Sequence, residues 1–269
     1  MSRQRYLLTV QATNTRVELR VNDIPVGMFA PGEAKAGAEV PINEFLLTGL
    51  NTLTAIVHAN PVPSQLLQAW APQDEPRVTL GQTASLSVRL TLDRDGQTVP
   101  QLPAVGLTWS GVATATPALV DASFTTLEAQ PDWAWTRAST LAAPDALVQA
   151  QQGLAKLQAL MARKDLATVE ALLATKIDEI TRLAYGVPSG PLRAGLVRAL
   201  ANCLSDPQWS MLPISSADID LRLVGNKRMV ECMRPDGRHA ITYVRAGTSQ
   251  TFFVPIMWGR LDGSWQILR

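Results

Sequence analysis

The stretch "TASLSVRLTLD", residues 83–93, constrains the fold more than any other. Leu86, Val88, Leu90 and Leu92 fall on one side of an extended chain, with Ser85, Ser87, Arg89 and Thr91 on the other. A period of two marks a strand with one face in a core and one in water, the pattern of antiparallel sheets. That rhythm does not persist. Between residues 144 and 204 apolar residues recur at every third or fourth position, and by residue 219 the strand rhythm is back. Such a switch predicts two modules of different construction.

Residues 1–126 carry strand signals almost throughout: "RYLLTVQA", "RVELRVN", "AEVPINEF", "NTLTAIVHAN" and "AVGLTWSG" accompany the stretch above. Asn22-Asp23, Pro31-Gly32, Thr48-Gly49 and Asp95-Gly96 supply turn chemistry between them. Short strands without intervening helices predict an all-β sandwich over residues 1–126. "HANPVPSQLLQAWAPQDEP" holds four prolines around Trp70 and is expected to be a long connection, because proline cannot sit in a central strand. Residues 127–143 read as a linker, with Trp133 and Trp135 pinning it to one domain.

Residues 144–269 are expected to form an α+β domain. Pro144 suits a first helical turn, and Leu147, Ala150, Leu154, Leu157 and Met161 come after it at helical spacing. Asp165 is placed to cap a second helix, with Val169, Leu172, Leu173, Ile177, Ile180 and Leu183 as its buried stripe and Gly186 at its end. A third helix runs through Leu192, Leu196, Val197, Leu200, Cys203 and Leu204 until Pro207 stops it. "IDLRLVGN", "KRMVECMR", "HAITYVR", "QTFFVPIMWGR" and "SWQILR" then predict a five-stranded antiparallel meander joined by tight turns. Trp258 and Trp265 are expected to anchor that sheet to the helices.

Charge excludes some functions. Lys plus Arg number 24 and Asp plus Glu 23, a formal net charge of +1, which leaves no electrostatic footprint for nucleic acid or an anionic membrane. No apolar run approaches the roughly 18 residues needed to span a bilayer. The apolar run Tyr6–Val10 is too short for a secretory signal. As it stands the chain is expected to be soluble and cytoplasmic, or periplasmic or secreted if a leader has been removed. Cys203 and Cys232 read as two core thiols, with a disulfide between helix and sheet as the alternative.

The ending "F-x-V-P…W-x-x-x-D-G-x-W-x-I-x-R", preceded by helices, resembles the C-terminal part of NTF2-like domains of the cystatin superfamily, over about residues 145–269. That fold hosts both enzymes and non-catalytic binders, so the resemblance implies architecture rather than activity. "VELRVNDIPVG…VPINEFLLTGLNTLTAIVH", with its "L-x-x-G-x-N-x-L" step at 46–53, is similar to galactose-binding-like jelly-roll modules over residues 16–60. This second resemblance implies a binding or interaction module.

Catalytic spacing is sparse. The chain has two histidines, His58 and His239, and neither sits in an HxH or HExxH context. No GxSxG elbow, P-loop or GxGxxG occurs, and no motif implies a metal or a cofactor. "DRDGQ" at 93–97 reads as a hairpin turn rather than a calcium loop. On the strand 239–245, His239, Tyr243 and Arg245 share a face with Ile241. In an NTF2-like cone that face would line a cavity, where Asp178 or Glu179 from the second helix and Glu231 from the next strand would meet the imidazole. A carboxylate beside a histidine suits general-base chemistry. The same alternation is equally that of a solvent-facing strand. For a sugar ligand, Trp70 is the conspicuous aromatic, with a plug over its own sandwich as the alternative.

Three functions are compatible with these features. The leading expectation is a non-catalytic protein that recognises a protein partner, in the manner of bacterial inhibitors, immunity proteins or secretion-system adaptors. The second is an NTF2-like enzyme acting on a small hydrophobic substrate with His239, Tyr243, Arg245, Asp178 and Glu231. The third is a carbohydrate-binding module using Trp70.

Overall fold

The computed structural model describes residues 4–58, 79–94, 97–99, 105–114, 117–126, 128–182, 189–215, 219–234, 238–248 and 250–269. Among them the chain is mostly β, with four antiparallel sheets and five helices. It divides into two compact units, Met1–Pro131 and Asp132–Arg269.

The described elements of the first unit are strands apart from one 3-10 turn, Asn43–Phe45. They are β1 (Gln4–Thr13), β2 (Arg16–Val21), β3 (Ile24–Phe29), β4 (Ala38–Pro41), β5 (Gly49–His58), β6 (Thr83–Arg94), β7 (Gln97–Val99), β8 (Gly106–Val112) and β9 (Ala118–Thr126). One sheet runs β4-β1-β6-β7, with β8 also on β6, and the other runs β3-β2-β5-β9. The alternation in residues 83–93 does what its period demands: Ala84, Leu86, Val88, Leu90 and Leu92 are buried. Across the ladder Leu90 faces Leu8, Val88 faces Val10 and Leu86 faces Ala12, so the apolar sets of β1 and β6 lie on one side. The second sheet repeats the device, with Val17, Leu19 and Val21 opposite Val57, Ala55 and Leu53. Asn22 and Asp23 turn β2 into β3 at φ 52° and 63°, the pair of left-handed residues that a two-residue hairpin of type I′ requires.

Asn51 sits inside β5 and is fully buried. A buried amide is stable only if its groups are paired. Here its Oδ1 accepts from Leu47 N (2.7 Å) and Asn22 Nδ2 (2.8 Å), while its Nδ2 donates to Leu47 O (3.0 Å) and Gly49 O (2.8 Å). The "L-x-x-G-x-N-x-L" step is therefore a polar staple: the asparagine folds the preceding loop onto the strand it opens. Gly49, at φ 86°, supplies the left-handed residue the loop needs.

In the second unit, α1 (Ala134–Arg137) precedes α2 (Ala143–Ala162), with Pro144 in the first turn of α2. Ala146, Ala150, Leu154, Leu157, Leu160 and Met161 form its buried stripe. Residues 132–143, expected as part of a linker, pack here, and Trp133 and Trp135 are buried. Asp165 caps the next helix through Thr168 N (3.2 Å) and Thr168 Oγ1 (2.8 Å). The single helix expected over 165–186 is two, α3 (Leu166–Leu172) and α4 (Ala174–Arg182). At Leu173 the chain leaves helical geometry, and its N–H is shared between Val169 O and Glu170 O. Of the expected stripe Val169, Leu173 and Ile177 are buried, and the inward face of α4 adds Lys176, Glu179 and Thr181 to Ile177. Helix α5 spans Ser189–Ser205.

The strands are β10 (Trp209–Met211), β11 (Asp220–Val224), β12 (Met229–Met233), β13 (Ile241–Arg245), β14 (Thr251–Val254), β15 (Met257–Leu261) and β16 (Ser264–Ile267). They do not form the sequential five-stranded meander expected from the sequence. Two sheets occur instead, β10-β13-β14 and β11-β12-β15-β16, joined by a bridge between Met233 and His239. "QTFFVPIMWGR" is two strands because Pro255 has no N–H to continue the ladder, and β15 beyond it pairs with β12. β16 forms the final hairpin and an edge of its sheet, with Leu261 facing Ser264 across Asp262-Gly263. Helices and strands share one core, in which Leu154, Leu157 and Val169 meet Val230, Ile241, Trp258 and Ile267. Cys203 and Cys232 are buried and free. Among the described residues no helix is long and apolar enough to cross a membrane.

Candidate functional site

The residues singled out around His239 are distributed rather than gathered. His239 stacks on Phe253 with ring centroids 4.7 Å apart. Burial, reinforced by the nearby Lys176 ammonium, lowers its pKa from 6.5 to about 4. The charge acting on this imidazole is thus a cation, where a general base would be served by a carboxylate. Lys176 itself donates to Pro255 O at 2.5 Å. Tyr243 is buried edge-on to Phe252, and its phenol is pushed up to about 12, first by burial and then by Cys203. Asp178 pairs with Arg193 at an exposed position on α4. Glu231 is buried on β12 and paired with Arg222 at 2.8 Å. Glu179 turns inward to Arg269 and to the N–H of Ala134.

Arg245 has a different setting. It lines an open groove of about 430 Å³ with Asn202, Ser205, Asp206 and Trp209. Two elements build it: the last turn of α5 carries Asn202 and Ser205, and the β10–β13 pair sets Trp209 directly opposite Arg245. The guanidinium donates through Nε to Gln208 Oε1 (3.0 Å) and through NH1 to Gln250 Oε1 (3.3 Å). Its NH2 lies 4.0 Å from Asp206 Oδ2, and Asp206 Oδ1 accepts from Gln208 N at 2.9 Å. Sequence periodicity places Arg245 on a candidate face but misses Asn202, Asp206 and Trp209. Those three end a helix or come just after it, where no alternation exists to flag them.

In the first unit the Tyr6 hydroxyl donates to Glu128 Oε2 at 2.6 Å, and Arg94 NH2 holds Glu128 Oε1 at 3.0 Å. Burial and then the carboxylate push the phenol well above its usual range. Burial acts to raise Glu128, but the Tyr6 hydrogen bond and Arg94 outweigh it, and its pKa lies below the usual value. The outward side of the β5–β9 pair is largely exposed. Its facing pairs are Leu50 with Thr125, Thr52 with Ser123, Thr54 with Asp121 and Ile56 with Leu119. Trp70, the expected aromatic for a sugar, and the side chain of His58 lie outside the described residues. Among the described residues no three His, Cys, Asp or Glu side chains cluster as a metal site.

Comparison with protein-family models, curated proteins and solved structures found no match for this chain.

Proposed function

We propose that this is a non-catalytic binding protein that recognises a protein partner through its first unit. The observation that carries the reading is the outward β5–β9 surface. Leu50 and Leu119 stand 66% and 65% exposed at its two ends, with short Thr, Ser and Asp side chains between them. Small hydroxyls keep a sheet face flat, and exposed leucines bordering it are surface that a partner would remove from water. On the second unit, the setting of His239 argues against the enzyme alternative. Its imidazole is neutral, stacked and beside a lysine, and the carboxylates expected to serve it hold arginines instead.

In the finer architecture we read the first unit as a jelly-roll-like β-sandwich, because each of its two sheets buries one face. We read the second as an NTF2-like α+β domain, because helices and antiparallel strands share one core.

The experiment compares wild-type chain with a Leu50→Asp/Leu119→Asp double variant as bait in extracts of the native cell. Both positions are exposed, so folding is expected to change by no more than about 0.5 kcal/mol per site. A partner recovered in stoichiometric amount by the wild type and lost with the variant supports the reading. Equal recovery by both baits, or none by either, contradicts it.

A further inference from the structure

The groove beside α5 has a chemistry that narrows what it can hold. Its lining carries one anion, Asp206, and one cation, Arg245, so its formal charge balances. Two features tilt it against anionic ligands. Asn202 and Ser205 lie in the last turn of α5, where the helix presents its negative end, and Asp206 adds a full negative charge beside it. The Arg245 guanidinium is meanwhile held by two neutral amide oxygens, Gln208 Oε1 and Gln250 Oε1.

The polar atoms ask for a group that both gives and takes hydrogen bonds. Ser205 Oγ donates to Ala201 O at 2.6 Å, which leaves its lone pairs for an incoming donor. Asp206 Oδ2 is an acceptor and Arg245 NH2 a donor, 4.0 Å apart. That spacing is too long for a direct hydrogen bond, yet a single hydroxyl beside the pair reaches both. Asn202 offers a donor and an acceptor on one exposed amide. Adjacent hydroxyls on a rigid ring satisfy this set, whereas a carboxylate has no hydrogen to give Ser205 or Asp206, and a phosphate brings its own only together with a negative charge that Asp206 repels. Trp209 completes the site. Half-buried, it packs against the helical core and also lines the groove, and an indole is the side chain best suited to stack against the C–H side of a ring.

We propose that this groove binds a neutral saccharide, one ring lying on Trp209 and its hydroxyls shared among Asp206, Arg245, Asn202 and Ser205. All five lining residues belong to the second unit, and the groove's chemistry draws on none of the β5–β9 side chains.

The test titrates the full chain, labelled with ¹⁵N, with lactose, maltotriose, cellotriose, mannotriose and chitotriose, and separately with citrate and inorganic phosphate. The indole N–H signal of Trp209, identified by its loss in Trp209→Phe, reports binding. At least one saccharide is expected to move that signal in saturable fashion, with neither anion doing so. Arg245→Gln is expected to weaken that saccharide on the order of tenfold, the loss of one charged hydrogen bond. Asn202→Ala, at an exposed position that leaves the fold intact, is expected to weaken it several-fold. The proposal is overturned if no saccharide moves the signal, if citrate or phosphate does, or if both variants bind as the wild type does.

Discussion

Glu179 and Arg269 form an ion pair inside the second unit, their side chains 5% and 4% exposed. The carboxylate also accepts from the N–H of Ala134, and the guanidinium lies 5.0 Å from the ring centre of Trp133. One pair thus ties α4, the residues after β16 and the start of the unit together. Removing one partner strands a charge in a low dielectric, so Glu179→Ala is expected to cost about 3–5 kcal/mol. Urea unfolding checks this, and Glu179→Leu/Arg269→Met, which removes both charges, is expected to recover much of the loss. A double variant no more stable than the single would contradict the charge-pair account.

Gly153 on α2 faces Trp258. A Cβ there would stand 2.8 Å from Trp258 Cζ2, closer than two carbons can lie. Alanine favours a helix over glycine by about 1 kcal/mol. The overpacking cost of about 1–3 kcal/mol is expected to win, so Gly153→Ala lowers Tm. Trp258→Phe trims the ring and is expected to make the same alanine neutral or favourable, which a double-mutant cycle by calorimetry resolves.

Asn51 pairs four groups at once, so Asn51→Ala is expected to destabilise the first unit by about 3 kcal/mol or more. Hydrogen exchange should locate the damage at the Leu47 N–H, which loses its acceptor, with β6 amides far less affected. Uniform loss of protection across the unit would contradict a local staple.

His239 gives the fold a pH dependence of known sign. Its pKa is about 4 when folded against 6.5 when free, so the unfolded chain binds the proton more readily between those values. Stability is therefore complete above pH 6.5 and falls as pH drops toward 4, by at most about 3 kcal/mol. His239→Gln is expected to flatten that portion of the stability profile measured by denaturant unfolding. An unchanged profile would show that the imidazole is freely protonated in the fold.

Local pattern makes much of this legible. Period two in β6 and the 3–4 stripe of α2 each report which face meets a core, and Asp165 with Thr168 reports a helix start through one local hydrogen bond. The failures share a different cause: they depend on partners far away in sequence. Nothing local to Lys176 marks it as buried, and Glu179 is expected beside His239, whereas Pro255 and Arg269, 79 and 90 residues on, are the partners that take them inward. Pro255 looks tolerable inside one strand, but its missing N–H divides that strand between two sheets. The groove unites a helix end with strand residues, and no periodicity spans that separation.

If the outer face of β5 and β9 is where this protein meets another, the backbone there must be shielded when the two are joined. Hydrogen exchange of the captured complex against the free chain measures that directly. The prediction is slowed exchange over Gly49–His58 and Ala118–Thr126, with the strands of the second unit unchanged. Protection confined to the second unit, or none on β5 and β9, would contradict it.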